Sequence, residues 1–264
     1  MAQALARASR PGSALTESIR EYWNAHLHDL QIVSHPIGSP EFFQELERYR
    51  YDKLRYLPDF ARFEQYESKR VLEVGCGVGI DLARFARAGA DAVGIDLATA
   101  PIELAKANLR LKGLSGTVRV MDAEDMSFED GSFDVVYAHG VLPYTANQDR
   151  LVAEVHRVLR PGGEALLMTY NRRSWLNWLS KLTGTALEHQ DAPVYRMLSE
   201  AEFRRLLSPF GKLEVTPERF PVPTELHHGW KAALYNHVFV KGFDWLPGPW
   251  VRPLGWHWLA HARK

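Results

Sequence analysis

A chain of 264 residues, 46% hydrophobic and 24% charged, can bury a sizeable core and lacks the depleted apolar content of a disordered chain. Its 32 Lys and Arg balance 32 Asp and Glu, so no net field steers it onto a nucleic-acid backbone, and a polyanion is excluded as its main partner. The single cysteine, Cys76, excludes an internal disulfide and a cysteine-built zinc site and fits a reducing, cytoplasmic setting.

Residues 1–69 mix aromatic and charged residues and read as an N-terminal helical segment. Arg7 and Arg10 are followed by Pro11-Gly12 before any apolar run, the pattern of a frayed terminus, with an organelle-targeting peptide as the alternative. From Arg70 the pattern changes to short apolar runs alternating with helix-period segments, the sign of a parallel sheet covered on both faces. Val71 to Gly75 predicts a buried strand, Ile80 to Ala88 a helix stopped by Gly89, and Ala92 to Asp96 a second strand.

Thr99 is placed to cap the next helix, with Pro101 in its first turn and Gly113 at its end. Thr117 to Asp122 predicts a third strand and Phe133 to Tyr137 a fourth. Leu151, Val152, Val155, Val158 and Leu159 stripe a helix halted by Pro161-Gly162-Gly163, and Glu164 to Tyr170 is a fifth strand. Residues 171–198 break this rhythm with an amphipathic stretch around Trp175, Trp178, Leu179 and Leu182. Ser199-Glu200-Ala201-Glu202 is a capping box, Lys212 to Phe220 and Gly255 to Ala262 alternate like strands, and residues 221–254 form a second insertion.

Gly75-Cys76-Gly77-Val78-Gly79 follows a strand and opens a helix, where missing Cβ atoms let the backbone approach a nucleotide-like ligand. Asp96 ends the second strand, about 20 residues on, where a carboxylate accepts from ribose hydroxyls. Asp122 ends the third, where one accepts from an adenine amine. Three such features at the carboxyl ends of successive strands fit ligand binding by an open α/β sheet.

These residues resemble the class I S-adenosylmethionine-dependent methyltransferases, in particular the broad small-molecule, methyltransferase type 11-like branch. The resemblance is carried by Val71-Leu72-Glu73-Val74 with the glycine loop, by Asp96, by Asp122-Ala123, by Phe128 to His139 as a fourth motif, and by Leu159-Arg160-Pro161-Gly162-Gly163 before the fifth strand. It is strong over residues 70–170. It implies a Rossmann-like seven-stranded, mostly parallel sheet with one antiparallel strand and helices on both faces, plus an N-terminal lid and C-terminal insertions, residues 70–264 forming the methyltransferase domain. It implies S-adenosyl-L-methionine as cofactor and S-adenosyl-L-homocysteine as product. It places Glu73, Gly75, Cys76, Gly77 and Gly79 at the methionine part, Asp96 with Leu97 at the ribose, Asp122 and Ala123 at the adenine, and His139 beside the cofactor. An NAD dehydrogenase is disfavoured, because one residue separates the second and third glycines instead of two.

The acceptor side is read from fewer signals. His139, after the fourth strand, is either a proton acceptor or a wall of the cofactor pocket, and Tyr22, His26, His35 and Tyr144 are the alternative bases. Residues 15–60, around Tyr22, Trp23 and His35, are expected to close as a lid. No metal set is expected: His26 and His28 face different sides of a helix, and His227-His228 is a poor pair. Seven of eight tryptophans lie in residues 175–258, which suggests an apolar acceptor pocket, ordinary packing, or contact of Trp245, Trp250, Trp256 and Trp258 with a membrane surface. The expected function is methyl transfer to an O, N or S nucleophile of a small apolar or aromatic acceptor, and not to nucleic acid. The alternative is a noncatalytic adenosyl-ligand-binding module that mediates protein contacts.

Overall fold

A computed structural model describes residues 14–221 and 235–264. The terminus around Arg7 and Arg10, His227-His228 and part of the second insertion lie outside these residues. The parallel strands are β1 (Arg70–Val74), β2 (Asp91–Asp96), β3 (Thr117–Val120), β4 (Phe133–His139) and β5 (Leu159–Tyr170), followed by β6 (Lys212–Glu218) and β7 (His257–Arg263). They form one seven-stranded sheet in the order β3-β2-β1-β4-β5-β7-β6. Strand β7 runs antiparallel to both β5 and β6, with Leu166 opposite His261 and Val215 opposite Ala260. It is the antiparallel strand that the resemblance implies.

The central strands read as near-continuous apolar runs because helices cover both faces. Leu72, Val74, Ile95, Val136 and Ala138 face one layer, built partly from Val152, Val155 and Phe203, while Val71, Tyr137 and Leu166 face the other, with Phe60, Phe63 and Phe85. Phe85 has no exposure and its ring centroid lies 4.6 Å from that of Phe63 and 5.5 Å from that of Tyr137. Phe85→Ala should therefore cost about 3–5 kcal/mol, measured by urea unfolding, and a loss below about 1 kcal/mol would show that this layer repacks.

Helices α1 (Ala14–Ala25), α2 (Pro40–Lys53) and α3 (Leu57–Ala61) precede the sheet, and α4 (Ile80–Arg87) and α5 (Thr99–Leu111) follow β1 and β2. Two local expectations are corrected. Thr99 is the first residue of α5, not its cap; Asn24 at the end of α1 accepts from the Thr99 and Ala100 amides, both at 2.9 Å. Pro161-Gly162-Gly163 does not end the preceding helix, α6 (Gln148–Val158), but lies within β5, where the register against β4 shifts between Phe133 and Val135. The extra residues loop out as a bulge, which accommodates a proline without an amide to donate. In the N-terminal segment, Phe42, Phe43 and Leu46 of α2 pack on Ile80 as core, while α1 and the turn after it roof the pocket.

In the first insertion, α7 (Trp175–Thr183) projects Trp178 and Leu182, and in the second, Trp245 and Trp250 are exposed. Trp256 and Trp258 are buried, inside the sheet rather than at a surface. No helix among the described residues is long and apolar enough to cross a membrane.

Candidate functional site

The sheet order changes direction between β1 and β4, and loops diverge there to leave a crevice beyond the carboxyl ends of the strands. A pocket occupies this place. Its floor and sides include Gly75, Gly77, Ile95, Asp96, Leu97, Met121, Asp122, Ala123 and His139, and its roof includes Ile19, Trp23, His26, Leu27 and His28.

The loop glycines have different causes. All three have positive φ: +67° at Gly75, +52° at Gly77 and +74° at Gly79. A Cβ on Gly75 would lie 2.3 Å from Val141 Cγ2 and one on Gly79 3.0 Å from Ala105 Cβ, so those two serve close packing. A Cβ on Gly77 would meet no protein atom within 4 Å, because it would enter the pocket. Gly77 is the cradle that a ligand needs.

Asp96 fixes that cradle. Its Oδ2 accepts from the Gly77 amide at 3.0 Å and its Oδ1 from the Ala98 amide at 2.9 Å. Burial raises its pKa, and the amide bonds oppose the rise. Asp122 turns its own loop, accepting from the Glu124 amide at 2.8 Å, and lines the pocket with Ala123.

Glu73, Cys76 and Gly79 are not lining residues. Cys76 points inward, its Sγ 2.9 Å from where a Cβ of Gly94 would stand, and burial pushes its thiol pKa up. Glu73 is buried beneath the loop, its Oε2 without a hydrogen-bond partner among the described residues. Burial and the neighbouring Asp81 carboxylate raise its pKa well above the ordinary range. The open cradle at Gly77 and the Asp96 and Asp122 carboxylates beside it fit a ligand that carries hydroxyl and amine donors.

His139 is held from two sides. Tyr56 Oη lies 2.8 Å from its Nε2 and Arg50 faces its Nδ1 at 3.5 Å. Burial and the Arg50 charge push its pKa well below the ordinary value, so the ring is neutral. With both nitrogens directed at protein groups, the geometry favours its wall role over proton removal.

Of the other candidate bases, His26 and Tyr144 line the pocket, whereas Tyr22 and His35 do not. Tyr22 donates to Asp191 Oδ1 at 2.9 Å, and burial and that carboxylate push its pKa up to about 12. His35 pairs with Glu45 at 3.0 Å on the surface. Tyr144 is 3.3 Å from the Tyr170 hydroxyl, and burial raises its pKa, which keeps it protonated. His26 Nδ1 lies 2.8 Å from its own turn's Tyr22 carbonyl. A carbonyl only accepts, so Nδ1 carries the proton and Nε2 the lone pair.

The sequence reading did not single out Asn24 or Arg20, which tie the roof to the floor: Arg20 Nε donates to the Leu97 carbonyl at 3.3 Å. An Asn and an Arg one helical turn apart were the available signal, but nothing local marked their partners, 75 or more residues away.

Residues 72–167 match the methyltransferase domain family. A ubiquinone biosynthesis O-methyltransferase of Pseudomonas aeruginosa is 36% identical over 105 residues, covering 39% of this chain and 45% of that protein. The chain thus spans less than half the length of that relative. A second ubiquinone biosynthesis O-methyltransferase, of Roseobacter denitrificans, is 29% identical over 78% of this chain and 73% of its own. A sterol 4-C-methyltransferase of Caenorhabditis elegans is 34% identical over 40% of this chain and 32% of its own. Among solved structures, geranyl diphosphate C-methyltransferase of Streptomyces coelicolor, in complex with Mg2+, geranyl diphosphate and S-adenosyl-L-homocysteine, superposes with a TM-score of 0.61 at 19% identity, covering 97% of this chain and 99% of that one. That likeness concerns the fold.

Proposed function

Because residues 72–167 are a class I S-adenosylmethionine-dependent methyltransferase domain, we propose that the chain transfers the sulfonium methyl of S-adenosylmethionine to an oxygen, nitrogen or sulfur nucleophile of a small apolar or aromatic acceptor. The observation that carries the reading is the pocket itself, with the Gly77 cradle, Asp96 and Asp122 on its floor and Ile19, Trp23 and Leu27 overhead. Relatives named for methylating oxygen and carbon support the reaction class, and the apolar roof supports the acceptor class.

Transfer from a sulfonium is an in-line displacement, so the protein's work is to orient the acceptor about 3–3.5 Å from the methyl and to exclude water. Asp96 would hold the ribose, with Glu73 behind the loop as a buried carboxyl group that does not reach the pocket. Asn24 and Arg20 hold α1 against the Leu97 to Ala100 turn, so the roof is fixed to the same turn that Asp96 shapes. Proximity then carries most of the rate.

Calorimetry with S-adenosylhomocysteine should give a micromolar affinity, with no heat from NAD. Asp96→Ala should weaken binding by about 1.5–3 kcal/mol, since a charge-assisted bond to ribose is lost and the Gly77 amide is released. Unchanged affinity would remove Asp96 from the site. Incubation with S-adenosylmethionine and a panel of phenols, thiols, amines and carboxylates should yield S-adenosylhomocysteine. Binding without turnover on any member would favour a noncatalytic adenosyl-binding module.

A further inference from the structure

Beside the pocket roof, three residues from two distant segments bring donor atoms together. His28 Nδ1 lies 3.1 Å from His189 Nε2, and Glu188 Oε1 lies 3.6 Å from the first and 3.8 Å from the second. Each offers one ligand atom, all within 4.8 Å of one another. The chain leaves helix α1 at Ala25, so the expected opposition of His26 and His28 across a helix does not arise. His28 is turned toward the insertion after β5 instead.

The surrounding groups fix which atoms can bind. Tyr22 gives its single proton to Asp191 Oδ1, at 2.9 Å, and its oxygen stands 3.0 Å from His189 Nδ1. His189 must therefore donate from Nδ1 to Tyr22, which leaves the lone pair on Nε2, the atom facing His28. Such an outer partner is what commonly sets the tautomer of a metal-bound histidine. Lys53 Nζ holds Glu188 Oε2 at 3.2 Å, leaving Oε1 for the histidines. His189 also adopts φ +54°, a left-handed conformation that a histidine takes at some cost. Its side chain is 11% exposed, against 47% for His28 and 37% for Glu188, so an ion has an open approach.

We propose that His28, Glu188 and His189 form a binding site for a borderline-soft divalent cation of the zinc class. Two imidazole nitrogens and one carboxylate oxygen are the donor set such ions prefer, whereas Mg2+ and Ca2+ prefer all-oxygen sets. Three protein ligands leave at least one coordination position for an exogenous group. Because His28 also lines the pocket, that position adjoins the acceptor space, and an acceptor with an anionic oxygen or sulfur is the chemistry it would take. This last step rests on the methyl-transfer reading; cation binding does not.

The test is calorimetric titration of the full chain with Zn2+ alone, with Mg2+ as contrast and S-adenosylhomocysteine titrated in parallel. One Zn2+ should bind per chain in the micromolar range or tighter, and Mg2+ should not compete. Glu188→Gln and His189→Asn should each weaken that site by about 100-fold or more, and Tyr22→Phe by about 10-fold as an outer partner. Asn suits the left-handed backbone at position 189, so that variant folds if the wild type does, which far-ultraviolet circular dichroism checks. Zn2+ affinity equal in wild type, Glu188→Gln and His189→Asn would overturn the site, as would no stoichiometric binding, which reduces the cluster to a plain hydrogen bond between two histidines. S-adenosylhomocysteine binding without Zn2+ binding rejects the cation site alone, and the reverse rejects the cofactor reading alone.

Discussion

Gly77→Val should abolish measurable S-adenosylhomocysteine binding, a loss of at least about 100-fold, while the protein still unfolds cooperatively. Two effects are combined in that substitution. A β-branched residue at φ +52° is strained by about 1–3 kcal/mol, which lowers stability, and its side chain enters space that no protein atom within 4 Å of the new Cβ occupies, which blocks the ligand. Gly113→Val separates them, since Gly113 has φ +63° and equally open surroundings but lies at the end of α5, away from the pocket. Urea midpoints should fall similarly in both variants, with binding lost only in Gly77→Val. Binding retained in Gly77→Val would mean that the ligand does not approach the loop, and binding lost in both would make it a stability effect.

The glycine loop and its acids were legible in the sequence because their signals are local. A strand, a turn needing positive φ and a helix follow within a dozen residues, and Asp96 and Asp122 sit at strand ends whose positions the apolar runs fix. The strand positions followed for the same reason, with ends off by one or two residues except at β5, which begins at Leu159 rather than Glu164. What was not legible depends on pairs far apart in the chain. Asn24 took the capping role expected of Thr99 because α1 docks on α5 through tertiary packing, which local propensity does not encode. His139 stayed open between base and wall because a position after a strand does not say where the ring nitrogens point, which only the partners Arg50 and Tyr56, from 83 or more residues earlier, show. Trp256 and Trp258 looked interfacial by composition, but β7 and the residue before it are covered between β5 and β6, which buries both rings.

The same distant pairing sets a stability change as large as the one expected for Phe85→Ala. Asp81 is 1% exposed and accepts from Arg50 Nε at 2.8 Å, Tyr137 Oη at 2.7 Å and Tyr51 Oη at 3.0 Å. Burial alone would raise its pKa, but the Arg50 guanidinium and these hydrogen bonds hold it below the ordinary value. Asp81→Asn should cost about 3–5 kcal/mol, because it leaves a guanidinium that is only 25% exposed without its counter-charge. Arg50→Met added to Asp81→Asn should recover part of that loss, since no unpaired charge then remains. A double variant no more stable than Asp81→Asn would place the cost in packing instead.

Acid should dismantle this layer in two stages. His139 and His257 are kept neutral by burial and by nearby arginines, with pKa values well below the ordinary 6.5. Below about pH 6.5 the unfolded chain binds two protons that the folded chain refuses, so these two groups subtract up to about 2.7 kcal/mol per pH unit until their folded values are reached. Asp81 acts later: its depressed pKa contributes stability that is complete above the unfolded value of about 3.9 and is lost as pH falls through the folded value beneath it. Urea unfolding between pH 7 and pH 5 should therefore show the same slope in wild type and Asp81→Asn, offset by the cost of the substitution. His139→Gln combined with His257→Gln should flatten that slope by the two-proton amount, and an unchanged slope in the double variant would move the acid sensitivity to other histidines.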